Sequence, residues 1–151
     1  LDGVEKLVET TKKEGGKILY GGKKPANFNK GYYFEPTIFD EIKDNFTIMK
    51  EEPFGPIVPI LTFKNFDEVI ERANNNDLGL CSYIYTNDLK KATRASEMME
   101  TGCVAVNTAA VAVAEAPFGG IKQTGYGREG GSMAIKDYLN IKYTHFGISY
   151  E

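Results

Sequence analysis

Histidine, cysteine and tryptophan are scarce in this chain: 151 residues include one histidine, two cysteines and no tryptophan. One histidine excludes a metal site built from several imidazoles, and two cysteines are too few for a four-sulfur zinc site or a disulfide framework. A single disulfide between Cys81 and Cys103 stays open, although we expect both to be small core residues. No stretch approaches the roughly 18 consecutive apolar residues of a membrane-spanning helix, and we expect no metal site.

The charge balance shows no strong excess of either sign, with 18 basic and 21 acidic residues well mixed along the chain and a net charge of −3. Nucleic acids and anionic membranes reward a concentrated positive surface, so neither is expected as a partner. Apolar residues make up 42% and charged residues 26%, which is a globular composition. The chain begins at Leu1 inside a helical pattern, so we expect a piece of a longer protein, and without secretory features a cytoplasmic one.

Periodicity predicts alternating strands and helices. Residues 4–11 have helical spacing that ends at Gly15-Gly16, and a short strand follows at 17–20. Residues 32–39 and 57–63 are extended and contain prolines, which favours edge positions. Asp67 is a plausible cap for the next helix.

The second half alternates more regularly, with strands predicted at 81–86 and 103–107, a helix between them capped by Asn87 or Asp88, and a last strand at 141–148. The apolar strand at 103–107 is expected to be buried on both faces. A further helix is expected around 134–139. The predicted fold class is therefore α/β, with a mostly parallel sheet, flanking helices and a C-terminal strand.

Two features resemble catalytic motifs without their context. Gly125, Gly127 and Gly130 have dinucleotide-fingerprint spacing, but no buried strand precedes them and only 21 residues follow. We interpret them as a glycine-rich turn. Neither cysteine has the setting of a nucleophile, because Cys103 lies in an apolar strand where a thiol pKa should rise.

The segment 50–56 places two acids, an aromatic residue and a glycine around two prolines, immediately before a predicted strand. Prolines stiffen the backbone and restrict the residues before them. Such a turn would hold Glu52 and Phe54 in fixed directions. The alternative is an ordinary structured loop with solvated acids.

Segment 51–56, taken with Pro-Phe-Gly-Gly at 117–120 and the glycine-rich run to 129, resembles the aldehyde dehydrogenase superfamily. Further similar segments occur in the same order at 31–37, 76–80 and 106–107, so the resemblance covers essentially the whole chain. The glycine-rich sequence at 117–131 is most similar to that of the succinate-semialdehyde dehydrogenase branch.

The resemblance implies that residues 1–140 are the C-terminal part of a catalytic domain and that residues 141–151 are an oligomerisation strand of a homo-oligomer. Members oxidise an aldehyde through a cysteine thiolate and pass hydride to NAD or NADP. Their nucleophile lies in a Gly-Gln-x-Cys context and their base is a glutamate before Leu-Gly-Gly-Lys. Neither motif is present here, so no catalytic residue is assigned and the chain alone is expected to be inactive.

Four positions carry binding roles over from the resemblance. Glu52 matches a glutamate that accepts hydrogen bonds from the nicotinamide ribose, and Phe54 matches an aromatic residue beside the nicotinamide. Phe118 matches a residue that lines the aldehyde tunnel. Val113 stands where a serine of succinate-semialdehyde dehydrogenases helps to hold the substrate carboxylate. The alternative to an enzyme fragment is a stand-alone, non-catalytic module of the same fold for binding or subunit association.

Overall fold

The computed structural model describes residues 1–28 and 30–148, which divide into two compact units, Leu1–Asn76 and Asp77–Glu151. The helices and strands of the first unit are α1 (Asp2–Lys13), β1 (Lys17–Tyr20), β2 (Thr37–Asp40), β3 (Ile57–Pro59) and α2 (Phe66–Asn74). Those of the second are β4 (Leu78–Gly79), β5 (Cys81–Ile84), α3 (Leu89–Met98), β6 (Cys103–Val106) and β7 (Ile121–Lys122). Short 3-10 helices occur at Thr47–Met49 and Ala134–Tyr138.

The core of the first unit lies between α1 and a three-stranded sheet. β2 is the central strand, antiparallel to β1 and parallel to β3. The buried side chains of α1 occur at the helical spacing from which the helix was predicted. The buried Thr11 hydroxyl has a hydrogen-bond partner, since it donates to the Leu7 carbonyl at 2.8 Å. The buried apolar cluster consists of Leu7, Val8, Phe39, Ile42, Phe46, Ile48 and Ile57. Burying this surface is the main stabilising contribution to the unit.

Two local predictions for the first unit were wrong. The strand around residues 32–39 was expected at an edge because of Pro36, but β2 begins only after that proline and is central. The cap of α2 is Asn65, whose side chain accepts from the Glu68 N–H at 3.0 Å, and not Asp67. The prediction from Pro59 is confirmed, since β3, which contains it, lies at the edge of the sheet.

The second unit contains a parallel strand–helix–strand arrangement of β5, α3 and β6, in which Cys81 lies opposite Cys103. Asp88 caps α3 by accepting from the Lys91 N–H at 3.1 Å. β6 is less buried than predicted, because Ala105 is its one fully buried residue. At the turn before β6, Gly102 lies so close to the Gly119 carbonyl that a methyl group would overlap it.

The α/β class is confirmed, while the arrangement of strands differs from the predicted one. The described residues form three small sheets with two parallel and two antiparallel pairings, rather than one mostly parallel sheet. The predicted strand at 141–148 is absent from the described residues, and these side chains are exposed; residues 149–151 lie outside the described part. A strand needs a hydrogen-bonding partner. No helix in the described ranges is long and apolar enough to cross a membrane.

Candidate functional site

Segment 50–56 is anchored on both sides within the first unit. Before it, the backbone N–H of Thr47 donates to the Glu14 carboxylate at 3.0 and 3.1 Å, and the Thr47 hydroxyl donates to it at 2.6 Å. Ile48, 2% exposed, fixes the 3-10 helix in the core, and Ile57 anchors the other end of the segment in β3. The segment is therefore flanked on both sides by residues that packing and hydrogen bonds hold in place.

Short-range hydrogen bonds fold the segment itself. The Phe54 N–H donates to the Glu52 carbonyl at 3.0 Å, and the Gly55 N–H donates to the Pro53 carbonyl at 2.8 Å. The Pro56 carbonyl accepts from the Thr37 N–H of β2 at 2.7 Å. This series of tight turns, with prolines at two positions, restricts the backbone as the sequence predicted.

Glu52 and Phe54 both point away from the core. Glu52 is exposed, and Phe54 is 87% exposed although it is a large apolar side chain. An ionised carboxylate only accepts hydrogen bonds, and its two oxygens suit a pair of neighbouring hydroxyls. An exposed phenyl ring offers a flat apolar surface for another ring. The pair suits a ligand that carries hydroxyls next to a planar ring.

The second unit holds the two positions that were expected to contact substrate. Phe118 is half-buried, and its backbone pairs with that of Glu129 through two hydrogen bonds of 2.7 Å. Val113 lies in the loop 108–116, where its carbonyl accepts from the Ala116 N–H at 3.2 Å, and its side chain is 48% exposed.

An open cavity of about 450 Å³ lies beside Phe118. Its wall is made of residues from 118–129, Leu80 just before β5 and the end of the second 3-10 helix, and Val113 is not part of it. The lining residues are Leu80, Phe118, Gly119, Gly120, Thr124, Gly125, Tyr126, Gly127, Arg128, Glu129, Asp137 and Tyr138. The structure therefore places Phe118 at a cavity and Val113 outside it, while Glu52 and Phe54 lie together in the other unit.

Arg128 shapes the wall of this cavity, a role that the sequence analysis did not assign. Its Nη1 donates to the Gly120 carbonyl at 2.9 Å and to the Gly127 carbonyl at 2.6 Å, while its backbone N–H donates to Asp137 at 2.8 Å. One guanidinium thus closes the glycine-rich segment on itself. The sequence signal that could have indicated this role is the position of Arg128, a single arginine among several glycines.

The glycine-rich segment is a turn in which Gly125, Gly127 and Gly130 all have positive φ, at 122°, 85° and 66°. These three glycines follow β7, which pairs with β4 over two residues and in which no residue is fully exposed. These angles are the conformations that glycine adopts without strain. The backbone conformation of this turn therefore accounts for glycine at all three positions of the fingerprint-like spacing.

Asn107 is a second residue whose role was missed. It has φ of +56°, and its side-chain amide both accepts from the Thr86 N–H and donates to the Thr86 carbonyl, each at 2.9 Å. The Asn107 N–H donates to the Ile84 carbonyl at 2.8 Å, and the side-chain amide extends this pairing of the two chain segments to Thr86. Asparagine tolerates left-handed backbone better than most residues, so an Asn directly after a strand was the signal. The loop 108–116, which carries Val113, starts directly after Asn107.

Both cysteines are free thiols and half-buried, and so are less enclosed than the expected core residues. Burial, and next the neighbouring Cys103, raise the pKa of the Cys81 thiol. A raised pKa makes a thiol a poorer nucleophile at neutral pH. In the described ranges, no three His, Cys, Asp or Glu side chains are grouped so as to hold a metal ion.

Residues 1–144 match the Aldehyde dehydrogenase family. This match covers nearly the whole chain, and the chain belongs to that family. The resemblance first noted in segments 51–56 and 117–129 is thereby confirmed.

Among curated relatives, the chain is 43% identical over 150 residues to the chloroplastic betaine aldehyde dehydrogenase of Beta vulgaris, covering 99% of this chain and 30% of that protein. Among solved structures, succinate-semialdehyde dehydrogenase from Burkholderia pseudomallei superposes with a TM-score of 0.87 at 37% identity, over 95% of this chain and 29% of the other. An NAD+ complex of an aldehyde dehydrogenase from Bacillus cereus gives 0.89 at 41% identity, over 93% and 28%. The chain spans about 30% of the length of the curated relatives that it matches.

Proposed function

We propose that residues 1–140 form the C-terminal part of the catalytic domain of an NAD- or NADP-dependent aldehyde dehydrogenase, which oxidises an aldehyde to its carboxylic acid. The family membership and the coverage of about 30% of the relatives' length support this assignment. The observation that carries it is the rigid turn 50–56, which presents Glu52 and Phe54 to solvent.

Glu52 and Phe54 are the proposed cofactor-binding residues. The Glu52 carboxylate accepts hydrogen bonds from the two hydroxyls of the nicotinamide ribose, and the Phe54 ring packs beside the nicotinamide and limits its movement. When bound, the nicotinamide cofactor supplies the hydride acceptor for the oxidation. The anchored turn would contribute by holding that ring in one orientation, because correct positioning of the reactants lowers the barrier to hydride transfer. The NAD+ complex from Bacillus cereus, 41% identical to this chain, supports the choice of cofactor class.

Phe118 and Val113 are the proposed substrate contacts. Phe118 lines the cavity in the second unit and offers its ring to the aldehyde's carbon chain. Val113 lies outside this cavity in the exposed loop 108–116, and by its match to the serine position its methyl groups would offer no hydrogen-bond donor to a substrate carboxylate. The proposed substrate is therefore a medium-chain aldehyde or a semialdehyde, with a weaker preference for a second carboxylate than a dedicated succinate-semialdehyde dehydrogenase has.

The nucleophilic cysteine and the general-base glutamate are proposed to lie in the part of the enzyme upstream of this chain. Cys81 and Cys103 lack the Gly-Gln-x-Cys context, and burial raises the pKa of the Cys81 thiol. The 151-residue chain alone should therefore form no NADH from an aldehyde.

The test of the cofactor site compares two neighbouring acids in the full-length enzyme. Glu52→Gln keeps the shape of the side chain but removes the charge that strengthens its hydrogen bonds, so we expect weaker NAD binding and hydride transfer slower by roughly tenfold. Glu51→Gln removes an equally exposed charge from the same turn and serves as the matched control. If both variants keep wild-type NAD affinity and hydride-transfer rate, Glu52 is a solvated loop acid and the proposed site is wrong.

Residues 141–151 are proposed to be the oligomerisation strand of a cytoplasmic homo-oligomer. Ile141, Tyr143, Phe146 and Ile148 are between 73% and 101% exposed, an unusual density of apolar surface for an unpaired segment. Pairing with another subunit would cover these side chains and supply the missing strand partner. Light scattering should show dimers or larger species, and a monomer of 16.7 kDa that persists at high concentration would contradict the proposal.

A further inference from the structure

Cys81 and Cys103 are the first residues of β5 and β6 and lie directly opposite each other in the parallel pair. Neighbouring strands in a sheet run about 4.7–4.9 Å apart, and directly paired residues project from the same face. This spacing falls within the range of roughly 4.4–6.8 Å between the Cα atoms of disulfide-bonded cysteines. The backbone spacing at this pair is therefore compatible with a disulfide between the two side chains.

The starts of both strands are held in place by several hydrogen bonds. The Cys103 N–H donates to the Leu80 carbonyl at 2.9 Å, and the Gly102 N–H donates to the Gly79 carbonyl at 3.0 Å. The Thr101 hydroxyl lies 3.0 Å from the Ser82 hydroxyl and 2.9 Å from the Cys103 carbonyl oxygen. These contacts fix the register, so that the closeness of the thiols is a property of the folded unit.

Both thiols also remain within reach of small reagents. Each cysteine is half-buried rather than enclosed in the core. The Cys103 sulfur lies 3.8 Å from the Gly119 carbonyl, next to Phe118. The pair is thus a cross-strand pair of thiols at one end of the β5–α3–β6 arrangement. The proposed aldehyde oxidation assigns no role to either cysteine.

We propose that Cys81 and Cys103 are a redox-modification site that closes to an intramolecular disulfide in the presence of a hydroperoxide. Because the raised pKa of Cys81 disfavours its thiolate, the Cys103 thiolate attacks the peroxide oxygen, giving a sulfenic acid while the O–O bond breaks and the departing oxygen takes a proton. The second thiol then attacks the sulfenyl sulfur, the S–S bond forms, and the hydroxyl leaves as water. Two thiols give up two electrons, and one hydroperoxide is reduced to an alcohol, or to water if it is hydrogen peroxide.

Closure ties the beginning of β5 to the beginning of β6 and encloses α3 in a covalent loop. It also removes the Cys103 S–H that lies against the Gly119 carbonyl. A thiol reductant such as dithiothreitol should return the disulfide to two thiols, because both cysteines are only half-buried.

The test treats the complete folded protein with hydrogen peroxide, alkylates the remaining thiols and digests with trypsin. Cleavage after lysine and arginine places Cys81 in the peptide 73–90 and Cys103 in the peptide 95–122. We expect these two peptides to appear joined, lighter by two hydrogens than their sum, from protein that migrates as a monomer on a non-reducing gel. Dithiothreitol should separate them.

Cys81→Ser and Cys103→Ser are matched controls, since each leaves one thiol in the same strand position. Each should lose the joined peptide and accumulate sulfinic acid or a mixed disulfide at the remaining thiol. The proposal is overturned if the wild-type thiols stay alkylatable, if they oxidise separately, or if the link joins two chains. It is equally overturned if the joined peptide forms as readily in urea-unfolded protein, since the fold then contributes nothing.

Discussion

The side chain of Asn107 should stabilise the second unit in two separable ways. Its amide makes two hydrogen bonds of 2.9 Å to the backbone of Thr86, and its φ of +56° lies in the left-handed region. Asn107→Ala removes both bonds and puts a less tolerant residue at that φ. Asn107→Asp keeps the left-handed tolerance and the acceptor to the Thr86 N–H, and loses only the donor to the Thr86 carbonyl.

The expected magnitudes follow from this division. A hydrogen bond contributes a net 0.5–1.5 kcal/mol in typical proteins, and Asn107 is exposed, so we take about 0.5–1 kcal/mol for each bond. Left-handed backbone costs an ordinary residue about 1–2 kcal/mol. Asn107→Ala should therefore lower the free energy of unfolding by about 2–4 kcal/mol, and Asn107→Asp by about 0.5–1 kcal/mol.

The assay is urea unfolding of the purified variants, followed by far-UV circular dichroism at one pH and one protein concentration. Asn87→Ala is the control, because Asn87 is also exposed but has ordinary φ, and its loss should stay within about 0.5 kcal/mol. The reasoning is refuted if Asn107→Ala is no worse than Asn87→Ala. If the alanine variant is less stable than the aspartate variant by only about 0.5–1 kcal/mol, the loss of one further hydrogen bond accounts for the difference, and the contribution assigned to the backbone conformation is wrong.

Two further predictions concern single side chains. The Lys64 N–H donates to the Glu68 carboxylate at 2.9 Å, and this bond, assisted by Arg72, lowers the pKa of Glu68; an NMR titration should show Glu68 protonating below an ordinary glutamate. The contribution of ionised Glu68 to the free energy of unfolding is fully present above the ordinary glutamate pKa and is lost as pH falls through the lowered pKa. A normal or raised pKa of Glu68 would contradict this account. In the full-length enzyme, Val113→Ser should raise the kcat/KM preference for succinate semialdehyde over butyraldehyde by roughly 10–100-fold, with Ala112→Ser as control. A wild-type preference above about a thousandfold that the serine leaves unchanged would contradict the role of Val113.

The sequence predicted those elements whose pattern is local. α1 and β1 were expected because helical spacing, a Gly-Gly stop and a short apolar strand occur consecutively, and the structure has them at Asp2–Lys13 and Lys17–Tyr20. The position of β2 in the sheet was not predictable in the same way. Pro36 reads as a strand interrupter, yet it lies one residue before the strand, where its missing N–H breaks no ladder bond.

Features that depend on distant pairing escaped the sequence analysis. The alternation at 141–148 indicates the capacity to pair, but a strand forms only where another strand offers its backbone, and the described residues offer none. The opposition of Cys81 and Cys103 depends on the register of β5 and β6, which the hydrogen bonds at the starts of the two strands fix. The restricted backbone around Glu52 and Phe54 could be anticipated from the neighbouring prolines, whereas the contacts of Arg128 with Gly120 and Gly127 depend on how a loop closes.

The contact between Gly102 and the Gly119 carbonyl has a consequence at the level of the gene. A Cβ atom at position 102 would overlap that carbonyl, which is backbone and cannot swing aside as a side chain does. Every glycine codon is one base change away only from codons for residues that carry a Cβ, from a stop codon, or from another glycine codon. Each missense change at codon 102 therefore displaces the segment that holds Phe118 and the cavity wall. In a saturation-mutagenesis library selected for the folded protein, synonymous codons should be the surviving variants at this position.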